Sequence, residues 1–286
     1  RSPGNVVDEI EELIKKYGIK EIAFQDDSAS VDKKRWNEIC DEIIKRKIDF
    51  RWTTPNGIAH WTLDKPLLKK MKRAGCYRIT FGIESGNIET RNFLGKPYPL
   101  SQAKELIQYA NKIGLWTLST NILGFPYEKI DSIKETIEFN KKSGVDFAMF
   151  YLLTPFPTAD VYEYFKKEKL LNFDHFFEDL KINADELERI YYVLGNTGAD
   201  TKFFKKEQLR EIQKKAYQDF ISYRAFSYLL NPLKIINKIH SKEDLIYLLK
   251  LLSRGIKIGK NVLSPKFLKS SGDFLYKDKK KNVVKK

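Results

Sequence analysis

Residues 111–126 read NKIGLWTLSTNILGFP, and the fold class follows from this stretch. A helical run ends at Asn111-Lys112-Ile113, Gly114 follows, Leu115 to Leu123 is rich in β-forming residues, and Gly124-Phe125-Pro126 stops it. Glycine just past a helix takes the left-handed conformation that closes the last turn, and a basic residue there offsets the negative end of the helix dipole. The same order recurs in Lys15-Lys16-Tyr17-Gly18 before Ile19 to Phe24, Lys72-Arg73-Ala74-Gly75 before Cys76 to Ile83, and Lys141-Lys142-Ser143-Gly144 before Val145 to Leu153. A fifth unit, Trp36 to Lys47 before Phe50 to Thr54, has Lys47 where the glycine would stand. Strands are therefore expected to begin near residues 20, 50, 77, 116 and 146 with helices between them, the rhythm of βα units in a parallel α/β sheet or barrel.

In parallel α/β folds, chemistry gathers in the loops at the C-terminal ends of the strands. The first expected strand ends in Phe24-Gln25-Asp26-Asp27-Ser28 and the second in Thr54-Pro55-Asn56-Gly57. The third ends in Phe81-Gly82-Ile83-Glu84-Ser85-Gly86, the fourth in Asn121-Ile122-Leu123-Gly124-Phe125-Pro126, and the fifth in Leu153-Thr154-Pro155-Phe156-Pro157. Taken singly, each is ordinary turn or capping chemistry. Five such ends in register describe a polar mouth over an apolar barrel, suited to a small ligand bearing an amine, a carboxylate and hydroxyls. The three histidines, His60, His175 and His240, belong to no nucleophile or metal motif; His60, after the second strand, is expected on a solvated loop or reaching a substrate.

Composition narrows the remaining classes. With 42% hydrophobic residues, a chain of 286 residues can bury one large core and a smaller appendage. No apolar run approaches the roughly 20 residues that cross a bilayer, so a cytoplasmic protein, or one peripheral to a membrane, is expected. Cys40 and Cys76 lie far apart without ligand-spaced neighbours and read as core thiols. Arg1 in place of Met, with no charged-then-apolar leader behind it, reads as a truncation rather than a signal peptide. Of the net charge of +14, the segment from Pro265 to Lys286 holds eight Lys against two Asp. The rest is expected to be spread thinly among acids, which disfavours nucleic acid as a partner.

Taken in order, Arg1-Ser2-Pro3, Asn5-Val6-Val7-Asp8-Glu9-Ile10, Phe24-Gln25-Asp26-Asp27, Pro55-Asn56-Gly57, Gly75-Cys76-Tyr77, Phe81 to Gly86 and Ile122 to Pro126 resemble radical S-adenosylmethionine (radical SAM) enzymes that carry an upstream cobalamin-binding domain. The resemblance spans residues 1–165 and implies a partial (β/α)6 TIM-like barrel lacking its first strand. It implies a [4Fe-4S] cluster on a Cys-x-x-x-Cys-x-x-Cys motif upstream of Arg1, without which the chain alone is not expected to be active. It implies S-adenosylmethionine as cofactor, cleaved reductively to start methylation, cyclisation or rearrangement of a small-molecule or lipid-like substrate, and it leaves cobalamin open as a further cofactor. By position, Asp26 and Asp27 resemble the acidic motif near the amino group of S-adenosylmethionine. Glu84 and Ser85 resemble the group at its ribose or methionyl part, and Asn56, Leu123 and Gly124 resemble the remaining wall. Tyr127 stands where the family often has a second glycine, and tyrosine cannot take positive φ cheaply, so a turn of different shape is expected there.

Residues 166–264 are expected to form a helical extension and 265–286 a basic flexible tail. Helices are expected over Lys206 to Leu230 and Ser241 to Leu252, with Pro232 between; their amphipathic composition suits packing on the barrel or docking on a membrane. Two other readings stay open: a tRNA-modifying methylthiotransferase-like enzyme, and a non-catalytic interaction module on the same fold.

Overall fold

The computed structural model describes residues 1–26, 29–156, 159–171 and 198–239, together with 241, 242, 244–246, 248 and 249. Five strands, β1 (Glu21–Ala23), β2 (Arg51–Ile58), β3 (Cys76–Glu84), β4 (Trp116–Leu123) and β5 (Phe147–Leu152), form one sheet in sequential order with every neighbour parallel. Helices α1 (Pro3–Tyr17), α2 (Lys33–Lys45), α3 (Lys65–Arg73), α4 (Ile88–Phe93), α5 (Leu100–Lys112) and α6 (Ile130–Ser143) alternate with them, and α7 (Asp160–Lys167) follows. This is the expected α/β half-barrel.

Local chemistry sets the helix ends. The Ser2, Asp32 and Asp64 side chains accept from the amides of Asn5, Arg35 and Leu67, capping α1, α2 and α3. At the other ends Gly18, Gly75, Gly114 and Gly144 all have positive φ, and Lys47, lacking a glycine's freedom, takes the same left-handed conformation at φ 54°. Gly75 is also sterically required: a Cβ there would lie 2.4 Å from the Phe50 carbonyl oxygen.

The apolar helix faces pack on one side of the sheet. Phe24, Trp36 and Trp52 meet edge-on with ring centroids 5.2–5.7 Å apart, and the Trp52 indole donates to the Ala74 carbonyl at 2.7 Å. Cys40 and Cys76 are free, buried thiols of this layer. Burial alternates along β4 and β5: Ser119, Asn121, Leu123, Ala148, Phe150 and Leu152 are covered, while Leu118, Thr120, Ile122, Phe147, Met149 and Tyr151 line a half-open face. The covered polar groups are paired. Asn140 of α6 donates to Asn121 Oδ1 at 2.8 Å and accepts from Ser119, and Asn121 donates to the Met149 carbonyl at 3.0 Å.

The chain divides into two compact units, Arg1–Gln213 and Lys214–Lys286. The long helix α8 (Lys206–Leu230) runs through the division, and the short α9 (Leu233–Ile236) lies in the second unit. The division corrects the expected charge distribution. Unit one has 34 Lys and Arg against 33 Asp and Glu, a net +1, whereas unit two has 18 against 5, a net +13. No helix among the described residues is long and apolar enough to cross a membrane.

Candidate functional site

The C-terminal ends of β1, β2 and β3 are joined by one side-chain hydrogen bond and one close backbone approach. The β2 ladder breaks between Thr54 and Ile58, so Pro55-Asn56-Gly57 bulges out of register with β3. From the bulge, Asn56 donates its amide to the Gln25 carbonyl at 2.8 Å, tying down the segment that carries the exposed Asp26. Asp27 lies outside the described residues. Gly57, at φ 98°, abuts Gly82 of β3, with 3.7 Å from its ideal Cβ position to the Gly82 nitrogen. Bare backbone thus lines the join between two strand ends.

Glu84 ends β3 in the left-handed region at φ 63°, a strained conformation for a side chain of this size. Its carboxylate folds back over Gly82, 3.2 Å from the ideal Cβ position there, and accepts from Lys96 Nζ at 2.9 Å. Ser85 turns the other way: its hydroxyl meets the Thr136 hydroxyl at 3.2 Å and accepts from the Asn87 amide. Arg91 secures the same loop by donating to the carbonyls of Ser85 and Gly86 at 3.1 and 2.9 Å. Of the adjacent pair expected at this strand end, Glu84 faces the half-open side, while Ser85 is wholly buried in the joint between the loop and α6.

At the next strand end Leu123 is fully buried, and Gly124 has φ 91° with Leu209 packed 2.9 Å from its ideal Cβ position. Glu128, also buried, closes this turn: one carboxylate oxygen accepts from the amides of Gly124 at 2.7 Å and Phe125 at 3.3 Å, while the other has no partner. Burial pushes its pKa up to about 7 against the opposing pull of those two amides. Tyr127 is not among the residues of positive φ, so the turn accommodates it without left-handed strain. Glu84 and Asn121 are Cα partners across β3 and β4, which brings Glu84 and the Leu123-Gly124 backbone to neighbouring strand ends. From Asp26 to Gly124 is three strand spacings, or about 14 Å, a length suited to an extended small molecule.

His60 departs from the solvated-loop expectation. It opens a 3-10 turn (His60–Thr62) and is only 4% exposed, with neither ring nitrogen in a hydrogen bond and the Gly82 peptide alongside but outside bonding geometry. Trp61 and Tyr98 meet its ring edge-on. Burial first, then the positive charges of Lys96 and Arg91, push its pKa down to about 4, so it is neutral at pH 7. The sequence alone does not show this, because Tyr98, which walls the ring together with Trp61, lies 38 positions away.

Metal ligation finds no support in this unit's own thiols. Burial pushes Cys40 up to about 12 and Cys76 upward as well, which keeps both protonated; among the described residues no three His, Cys, Asp or Glu side chains converge as a metal site.

Residues 1–140 match the family described as the Radical SAM superfamily. This part of the chain is a radical SAM domain. Among relatives, an uncharacterized methyltransferase of Pyrococcus horikoshii is 32% identical over 88% of this chain and 49% of its own length. The cytidylyl-2-hydroxyethylphosphonate methyltransferase of Streptomyces wedmorensis is 32% identical over 54% of this chain and 30% of its own. The anaerobic magnesium-protoporphyrin IX monomethyl ester cyclase of Rubrivivax gelatinosus is 27% identical over 57% and 29%. The chain spans about half the length of the first of these and under a third of the other two. The radical SAM methyltransferase TsrM of Kitasatospora setae, solved with cobalamin and a [4Fe-4S] cluster, shares the fold: TM-score 0.54 and 18% identity, covering 59% of this chain and 34% of that one. The strand ends described above are those of the radical SAM domain, apart from the fifth, which lies beyond the matched residues.

Proposed function

We propose that this chain forms the S-adenosylmethionine-binding wall of a radical SAM enzyme that methylates or cyclises a small organic molecule. The observation that carries the reading is the Glu84 carboxylate held over Gly82 at the mouth of a matched radical SAM half-barrel. The α-ammonium group of an amino-acid ligand fits this mouth: Glu84 and Asp26 offer carboxylates, and the Gly57–Gly82 join lets a ligand approach the backbone. Leu123 and Gly124 are buried, with Leu209 packed against Gly124, so they support the mouth from behind rather than touch a ligand.

The described residues do not fit an iron–sulfur cluster, since both thiols are buried and protonated, so its ligands would lie outside them. Methylation and cyclisation are the reactions in the names of the relatives, whose named substrates include a nucleotide-linked phosphonate and a porphyrin ester. Cobalamin enters through TsrM, which holds it, and a cobalamin-binding domain is part of the proposed whole protein. Equilibrium dialysis of the full chain against S-adenosylmethionine tests the reading: Glu84→Ala should weaken binding by about tenfold, the loss of one charge-assisted contact. A chain that binds no S-adenosylmethionine, or a variant that binds as well as the parent, removes the reading.

A further inference from the structure

The second unit combines two features the half-barrel does not need. The first is charge: Lys214–Lys286 carries net +13 of the chain's +14, and 16 of its 18 basic residues are Lys. The second is an exposed apolar stripe. Phe226, Leu229 and Leu230 near the end of α8 are 62%, 81% and 71% exposed, and Leu233 and Ile236 of α9 are 63% and 56% exposed. Phe226 and Leu230 are spaced i, i+4 on α8, and Leu233 and Ile236 are spaced i, i+3 on α9, so each helix carries an exposed apolar pair on one side. Leu245, Ile246 and Leu249 add further exposed aliphatic surface in the same unit, with Lys234 and Lys242 exposed nearby in sequence.

Each feature alone has an ordinary explanation, but together they restrict the partner. Aliphatic side chains exposed to this degree gain nothing against a phosphate backbone, and nucleic-acid recognition favours Arg forks and stacking aromatics over Lys and Leu. An anionic bilayer satisfies both features at once, because its acyl boundary takes Leu, Ile and Phe while its headgroups take Lys. No helix among the described residues is apolar and long enough to span, so the geometry is one of lying in the interface plane.

We propose that the unit Lys214–Lys286 docks on an anionic membrane surface, with Phe226, Leu229, Leu230, Leu233 and Ile236 entering the acyl boundary and the lysines holding lipid headgroups. This does not rest on the proposed chemistry of the half-barrel. Flotation of the full chain with phosphatidylcholine vesicles, with and without phosphatidylglycerol, tests it. Association is expected with the anionic vesicles, weakened by raising salt to about 0.5 M and absent or much weaker with the neutral ones. A Leu229→Ser, Leu230→Ser, Leu233→Ser variant should bind at least about tenfold more weakly while keeping its helical circular dichroism. A Lys279→Glu, Lys280→Glu, Lys281→Glu variant should lose binding to anionic vesicles by a similar factor. Equal binding to both vesicle types, unchanged binding of the triple-serine variant, or retention on RNA with no vesicle association would overturn the proposal.

Discussion

Replacing Glu128 with Gln should leave the half-barrel folded while removing one contribution to the parent's pH dependence. The carboxyl is 1% exposed, and the shift from its ordinary 4.5 to about 7 means that the folded state holds this proton more tightly than the unfolded chain. Its contribution is therefore fully present below about pH 4.5 and lost as pH rises through about 7, a swing on the order of 3 kcal/mol. In the neutral acid the proton resides on the unpartnered oxygen and the other oxygen still accepts from Gly124 and Phe125, so Gln can copy the arrangement with its carbonyl. All four tryptophans, Trp36, Trp52, Trp61 and Trp116, lie in unit one, so tryptophan fluorescence in urea follows that unit without interference from the other. Measured at pH 5 and pH 8, the difference in unfolding free energy between parent and Glu128→Gln should shift by about 2 to 3 kcal/mol, in the parent's favour at pH 5. Parallel pH profiles would show that the buried carboxyl does not titrate as argued.

His60 should give the opposite slope. Its pKa is depressed from 6.5 to about 4, so its stabilising contribution holds above pH 6.5 and is lost as pH falls through 4; the stability difference between parent and His60→Phe should move in the parent's favour as pH rises from 4 to 7, and one imidazole should show no NMR titration between pH 5 and 8. Because the Glu128 and His60 windows overlap with opposite signs, the parent's own profile should be flatter than that of either variant. Gly86→Ala should destabilise unit one by about 3 kcal/mol or more, since its Cβ would stand 2.5 Å from the Glu135 carbonyl oxygen with rigid helix behind it; a urea midpoint within error of the parent would contradict that packing.

The strands were legible because their punctuation is local. A basic helix end followed by Gly18, Gly75, Gly114 or Gly144 marks where a strand must begin, and even the exception, Lys47, adopts the conformation its position demands. The loops were less legible because their chemistry is assembled from distant residues. Glu84 could be picked out as a carboxylate at a strand end, but its ion pair with Lys96 and its left-handed backbone depend on how the chain returns after α4. Ser85 beside it could not be told apart from a ligand-facing group, because Thr136, which takes its hydroxyl, is 51 residues away. The Glu128 turn was visible only as a family pattern, since its two amide donors are local but its burial is not. The concentration of charge was hidden for another reason: the division at Gln213 falls inside a continuous helix, with no glycine, proline or serine linker to mark it.

The Glu84–Lys96 pair has a consequence for selectivity. A bare carboxylate would attract any cation that diffused into the half-barrel, including free amino acids and polyamines. With Lys96 already in contact, an arriving ammonium group must displace an intramolecular rival whose effective concentration is set by a tether of 12 residues. Charge alone is then a poor credential for entry, and ligands that bring further contacts elsewhere along the strand ends hold the advantage. If Glu84 binds a ligand cation as proposed, Lys96 would be a resident competitor favouring ligands with further contacts along the strand ends.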